Sequence, residues 1–258
     1  MPDLDDDLAL ALHLADVAAA VTLPAFGRRL DVALKADLTV VTEVDAAAER
    51  AVRGALREHR PDDGVLGEEE GLDPGTSGRV WVLDPIDGTR MYAEGIPLWT
   101  TLVALRDRTG VIVGVADAPA SALRLHASRG GGAREGGRRL AVSPVDRFSD
   151  AFVLHASVEE FAALGETASL ERVVTRARGS RGMADAWAHL MVARGSAEAL
   201  LEAAPCYEWD WAATSLILAE AGGRMSALDH VEPYPGCRLL ATNGRIDDEL
   251  RAAYAAIP

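Results

Sequence analysis

Two aspartates three residues apart, with a proline between them, restrict the middle of this chain more than any other feature. In Trp81-Val82-Leu83-Asp84-Pro85-Ile86-Asp87-Gly88-Thr89, the apolar lead-in from Val80 predicts a strand that delivers Asp84 to its C-terminal end. Pro85 has no N–H to donate and holds its φ at about −65°, so the strand is expected to stop there. Asp87 then need not alternate away from Asp84. Two hard oxygen ligands at one strand end suit Mg²⁺. Gly88 and Thr89 follow where a helix can begin, with backbone N–H groups available to a phosphate. A solvated turn would use the same residue types, so the reading depends on what the rest of the chain supplies.

The bulk properties narrow the choice. A chain of 258 residues can hold one large domain or two modest ones, with ample core. No uninterrupted apolar run reaches the ~18 residues of a membrane helix. The acidic start, Met1 to Asp7, is unlike a secretory signal or a transit peptide, so a cytoplasmic location is expected. Cys206 and Cys237 fit no metal spacing and are expected to be buried free thiols. A net charge of −14 argues against nucleic acid or an anionic membrane as partner. It is also a difficulty for binding phosphate, which divalent cations would remove by reversing the field locally.

Apolar spacing predicts helices over 4–26 and 45–59, separated by a polar segment from Lys35 to Asp45. Strands are expected over 80–84, 98–105 and 111–118, and Gly130–Gly137 reads as one hairpin turn. Pro144 marks a boundary between sub-domains 1–143 and 144–258. The second half reads as strand 151–155, helices 158–164 and 184–194, strand 197–202, helix 211–221, strand 239–243 and helix 246–255. This order implies a layered α/β (α+β) fold with two sub-domains, Asp210 coming from the second.

Two further segments join the first. Gly67-Glu68-Glu69-Glu70-Gly71 follows apolar Val65-Leu66, so the acidic run can end a short strand and bring Glu68 near Asp84, although such runs are commonly solvated. Trp209-Asp210-Trp211 opens a helix with Asp210 at or near its N-cap, where it either caps or supplies another metal ligand; the two readings are compatible. With Ala221-Gly222-Gly223 behind them, these motifs resemble the inositol monophosphatase superfamily of Mg²⁺-dependent, lithium-sensitive phosphomonoesterases, over nearly the whole length.

The resemblance implies an αβαβα sugar-phosphatase-like arrangement with the active site between the sub-domains. It implies that Glu68, Asp84, Thr89 and the Ile86 carbonyl hold one Mg²⁺, that Asp84, Asp87 and Asp210 hold a second, and that Glu68 with waters holds a weaker third, Mn²⁺ being a possible substitute. The ions would acidify a water and neutralise phosphoryl oxygens, while Glu68 and Thr89 orient that water. Asp45 resembles the residue that hydrogen-bonds the threonine, and Gly88 and Thr89 the phosphate contacts. Lys35, Asp37 and Thr42 match a mobile loop that closes over the metals in relatives. A small phosphorylated metabolite is the implied partner, and homodimers are common in the family.

The ester is less constrained. Gly95-Ile96-Pro97-Leu98-Trp99, Arg181 to Trp187 and Ala241 to Gly244 are most similar to the histidinol-phosphate phosphatase branch. The implied substrate contacts are Asp87, Ala184, Asp185, Glu202 and Asp210. Asp185 suits a cationic amine better than a ring of neutral hydroxyls, and it also suits a helix N-cap. Relatives usually carry a substrate-contacting Glu at the position of Ala203, and here Glu202 stands one residue earlier. Tyr207-Glu208-Trp209-Asp210 and Arg90 resemble the branch acting on 3′-phosphoadenosine 5′-phosphate. The order of expectation is histidinol phosphate, then inositol 1-phosphate, then the nucleotide. A catalytically silent metal-binding relative is the non-enzyme alternative, opposed by the presence of every metal residue. No Gly-x-Gly-x-x-Gly supports a nucleotide-binding oxidoreductase. None of the six histidines falls in a motif; His13, His59 and His189 lie in expected helices and receive no role.

Overall fold

A computed structural model describes residues 3–28, 32–34 and 40–255, with side chains described over 3–28 and 43–255. Lys35 and Asp37 therefore lie outside the described residues, and of Thr42 only the backbone is described. The chain forms two compact units, Met1–Arg138 with Trp209–Ile217, and Arg139–Glu208 with Leu218–Pro258. Asp210, expected from the second half, thus sits on a segment that packs with the first unit.

The first unit contains α1 (Leu4–Ala25), β1 (Val32–Leu34), β2 (Val40–Thr42), α2 (Glu43–His59), β3 (Gly64–Gly67), β4 (Gly71–Asp73), β5 (Val80–Asp87), α3 (Thr89–Ala93), β6 (Thr100–Asp107), β7 (Gly110–Ala118), β8 (Leu123–Ser128), β9 (Gly132–Glu135) and β10 (Arg138–Arg139). β1 and β2 pair as a small antiparallel ribbon. The remaining strands form one sheet in the order β10-β9-β8-β7-β6-β5-β3-β4. Within it β3 and β5 pair in parallel, and β4 to β3, β5 to β6, β6 to β7, β7 to β8 and β8 to β9 pair antiparallel. The stretch Gly130–Gly137, expected as one turn, contains a strand, β9, with a tight turn on either side.

One face of this sheet receives helices. Leu10, Ala11, Leu14, Ala15 and Ala18 of α1 and Val52 and Leu56 of α2 share a core with Val65, Trp81, Leu83, Val103, Leu105, Val113 and Val115. Removing each large side chain from water is worth about 1.5–3 kcal/mol. Over an averaged window α1 is apolar and long enough to cross a membrane, although no uninterrupted run showed it. Its i, i+3 and i+4 buried stripe on the sheet marks it as a core helix.

The second unit contains β11 (Phe152–His155), α4 (Val158–Ala163), α5 (Thr167–Arg176), β12 (Gly179–Gly182), α6 (Asp185–Ala193), β13 (Ala199–Leu201), α7 (Glu208–Glu220, shared with the first unit), β14 (Arg224–Ala227), β15 (Leu239–Thr242) and α8 (Asp247–Ala255). Its sheet runs β12-β11-β13-β15-β14, parallel over the first three strands and antiparallel over the rest. Cys206 and Cys237 are both buried and face each other across an isolated antiparallel bridge.

Candidate active site and metal centre

Strand β5 does not stop at Pro85; it continues to Asp87 through a bulge. Asp84 pairs with Leu102 and Asp87 with Thr100, so β5 advances three residues while β6 advances two. In an unbroken strand a separation of three would put the two carboxylates on opposite faces. The extra residue restores parity and leaves both on one face. A bulge is also a place where a sheet tolerates a proline. Two hydroxyls from β6 hold this irregular stretch: Thr101 donates to the Pro85 carbonyl at 2.7 Å and Thr100 to Asp87 Oδ2 at 3.1 Å. Sequence reading assigned neither threonine a role, because a Thr-Thr pair at a strand start reads simply as β propensity.

The face on which they lie follows from the register. Leu83 and its partner Val103 belong to the core under α1 and α2, so Asp84 and Leu102 face the other way. Gly114 of β7 shares that second face, and there α7 rests on the sheet. A Cβ on Gly114 would lie 2.6 Å from the Ala213 carbonyl, so glycine is what permits the helix backbone to come so close. The first turn of α7, which starts at Glu208 rather than 211, brings in Asp210. One carboxylate oxygen from each of Asp84, Asp87 and Asp210 lies within 4.8 Å of the others.

Glu68 approaches from β3. Gly67 is the last paired residue, opposite Leu83, so Glu68 enters the turn beside Asp84. Asp84 is buried, 2 % exposed, and its carboxyl is held well above the usual carboxylate range. Burial is the first cause, followed by the charges of Glu68, Asp87, Asp210 and Asp45. Acids gathered in this way repel one another and resist ionisation. A divalent cation among their oxygens converts that repulsion into attraction. The donor set is hard oxygen throughout, which fits Mg²⁺ or Mn²⁺.

Gly88, with φ of 83°, turns the chain into α3, whose first residue is Thr89. The Thr89 hydroxyl has two acceptors in reach, the Ile86 carbonyl at 2.9 Å and Asp45 Oδ1 at 3.3 Å. Asp45 lies in the first turn of α2 and is buried. An aromatic cluster fixes α3: Tyr92 meets Trp99 edge-on at 4.9 Å and donates its hydroxyl to the Thr22 carbonyl at 2.6 Å. Trp99, part of a motif tied to one branch by sequence, is therefore a fully buried support of α3.

The residues expected to meet the alcohol portion of a substrate belong to the second unit. Asp185 is the first residue of α6 rather than its cap, which is Ala184, and it holds a left-handed φ of 60°, a conformation that aspartate accepts more readily than most non-glycine residues. Its N–H donates to Glu202 Oε1 at 2.9 Å. Glu202 is buried, so one of its oxygens holds the backbone at Asp185 in place. Burial lowers the nearby His189 to about 3, which keeps the imidazole neutral.

The site can be set beside known proteins. A model of the inositol monophosphatase family matches residues 3–257. A histidinol-phosphatase of Streptomyces coelicolor is 42 % identical, the alignment covering 97 % of each chain. A histidinol-phosphatase of Mycobacterium tuberculosis is 39 % identical over 95 % of this chain and 96 % of its own. Among solved structures, an inositol monophosphatase from Zymomonas mobilis superposes with a TM-score of 0.85 at 26 % identity, covering 99 % of this chain and 100 % of that one.

Proposed function

Since the chain belongs to the inositol monophosphatase family and is a phosphoric monoester hydrolase, we propose that the ester it hydrolyses is histidinol phosphate. The family is metal-dependent, and the acidic cluster of Asp84, Asp87 and Asp210 can bind a metal. Mg²⁺ is the ion we propose, held by those aspartates with Glu68, Thr89 and the Ile86 carbonyl. When bound, such ions neutralise phosphoryl oxygens and make water a better nucleophile.

The chain's own groups do the positioning. Glu68 and the Thr89 hydroxyl orient the attacking water, and Asp45, hydrogen-bonded to that hydroxyl, fixes its direction. Backbone N–H groups at Gly88 and Thr89 receive the phosphate. Preorganised charge and orientation of this kind supply most of the barrier reduction in phosphoryl transfer. Asp185 meets the substrate's ammonium group, while Ala184 and Glu202 shape the segment that carries it. The observation that carries the choice of ester is the end-to-end likeness to two histidinol-phosphatases; an acidic residue at 185 supports it.

The test is metal-dependent phosphate release from histidinol phosphate, inositol 1-phosphate, fructose 1,6-bisphosphate and 3′-phosphoadenosine 5′-phosphate. A kcat/KM for histidinol phosphate about 100-fold above the others, or ~2.7 kcal/mol of transition-state discrimination, is expected. Equal rates on inositol 1-phosphate would remove the assignment and leave the hydrolase.

A further inference from the structure

Helix α2 carries two acids one turn apart, Asp45 and Glu49, and both reach toward the site. Asp45 meets Thr89. Glu49 is fully buried and meets the Glu68 turn. Its Oε2 accepts the N–H of Glu69 at 2.8 Å, and its Oε1 accepts the N–H of Glu70 at 3.1 Å. Arg53, one further turn along, donates Nε to the same Oε1 at 2.8 Å and Nη2 to the Gly71 carbonyl at 2.5 Å. Gly67 completes the contact, because a Cβ there would stand 2.1 Å from Glu49 Oε1.

These bonds bracket Glu68. On one side β3 is fixed in register against β5 up to Gly67, and on the other Glu49 holds the next two amides. We propose that Glu49 is a positioning residue for catalysis: it clamps the 68–70 turn so that the Glu68 carboxylate is held at Asp84, with Arg53 neutralising the clamp. Through α2 the Glu68 turn and the Thr89 hydroxyl are then set by one rigid element. A carboxylate is required at 49 because three N–H donors converge on it. Glutamine offers one acceptor oxygen and two donors of its own. The inference rests on the role given above to Glu68.

The test is a cycle of Glu49→Gln, Glu68→Gln and the double variant, read in two ways. Mn²⁺ binding is followed by the EPR signal of the free ion, and turnover on whichever ester of the panel is hydrolysed fastest. Glu49→Gln is expected to lower kcat by about tenfold to a hundredfold and weaken Mn²⁺ binding by about tenfold, KM changing by less than about twofold. In the Glu68→Gln background it should change neither readout further, while lowering the thermal midpoint equally in both backgrounds. A loss that multiplies onto Glu68→Gln would show a merely structural residue and overturn the proposal, as would a Glu49→Gln enzyme with wild-type Mn²⁺ affinity. Wild-type turnover in Glu68→Gln alone would instead remove the role of Glu68, and the inference with it, a result read without the cycle. If Glu49→Gln does not fold, Gly67→Ala presses on the same carboxylate from the other side and must reproduce the loss of Mn²⁺ affinity; unchanged affinity there overturns the proposal equally.

Discussion

Asp84 and Glu166 are acids wholly and partly withdrawn from solvent, one in each unit, and their surroundings push them in opposite directions. Around Asp84, burial and four other acids raise the carboxyl well above its ordinary range. Around Glu166, burial also works against the charge, yet the Arg238 guanidinium and the Tyr254 hydroxyl outweigh it and the carboxyl is lowered. Glu166 has its countercharge built into the fold and ties the start of α5 to α8. Asp84 lies among charges of its own sign, an arrangement that costs stability until a cation arrives. The difference separates an acid that holds a structure together from one that the structure holds for a ligand.

The largest effect should follow from Asp84→Asn. Turnover is expected to fall by about a thousandfold or more, ~4 kcal/mol of transition-state stabilisation. Retention of more than about a tenth of wild-type activity at saturating Mg²⁺ would break the comparison, since a tenfold loss is only ~1.4 kcal/mol. Stability should move the other way. With its pKa raised in the fold, Asp84 binds a proton more readily in the metal-free folded state than in the unfolded chain. Metal-free wild-type protein therefore loses stability as pH rises from the ordinary carboxylate value through the raised one. Asp84→Asn removes that slope and should be the more stable protein in EDTA at neutral pH. Urea unfolding at about pH 5 and about pH 8, with EDTA or Mg²⁺, checks the sign, and Mg²⁺ should restore the wild type but not the variant.

Asp185 offers a sharper version of the same contrast, because the cation proposed for it belongs to the substrate. Asp185→Ala should raise KM for histidinol phosphate about tenfold, the size of one charge-assisted contact, and leave inositol 1-phosphate within about twofold. An equal rise for both esters would mean that the residue serves only the backbone at the head of α6. The left-handed φ at Asp185 gives that alternative physical content, since alanine tolerates it less well.

The parts of the molecule that can be read from sequence are those where local chemistry and tertiary context agree. Helices α1 and α2, strands β6 and β7 and the turn at Gly88-Thr89 follow from periodicity and from the conformational freedom of glycine. The bulge at Asp84–Asp87 does not, because it exists only relative to β6, and a proline alone reads as a stop. β12, with sequence Gly179-Ser180-Arg181-Gly182, has no β-branched residue and is a strand only through pairing with β11. α5 does carry an apolar stripe, Leu170 with Val173 and Val174 at i, i+3 and i+4, so its absence from the expected elements is an oversight of periodicity and not a silence of the sequence. Glu49 sits one turn after Asp45 and looks like any solvated helix acid; its role depends on a turn about 20 residues downstream. Chemistry held in one segment was legible; chemistry made by two segments meeting was legible in part, as for Glu68 near Asp84, and otherwise through resemblance or, as for Glu49, not at all.

The smallest effect should come from the other side of the comparison. Arg238→Met leaves Glu166 with the Tyr254 hydroxyl but without its countercharge. Both partners are partly solvent-accessible, so the loss should be only about 0.5–1 kcal/mol, a few degrees at most in thermal midpoint. Its pH dependence is opposite in sign to that of Asp84. A carboxylate lowered in the fold contributes stability above its unfolded pKa and loses it as pH falls through the folded value. The gap between wild type and Arg238→Met should therefore close in acid, whereas the gap between wild type and Asp84→Asn opens toward neutral pH. Turnover and Mn²⁺ binding should be unchanged, because Glu166 and Arg238 belong to the fold of the second unit alone. A measurable change in Mn²⁺ affinity would show that the two kinds of acid are coupled, and the division drawn between them would have to be given up.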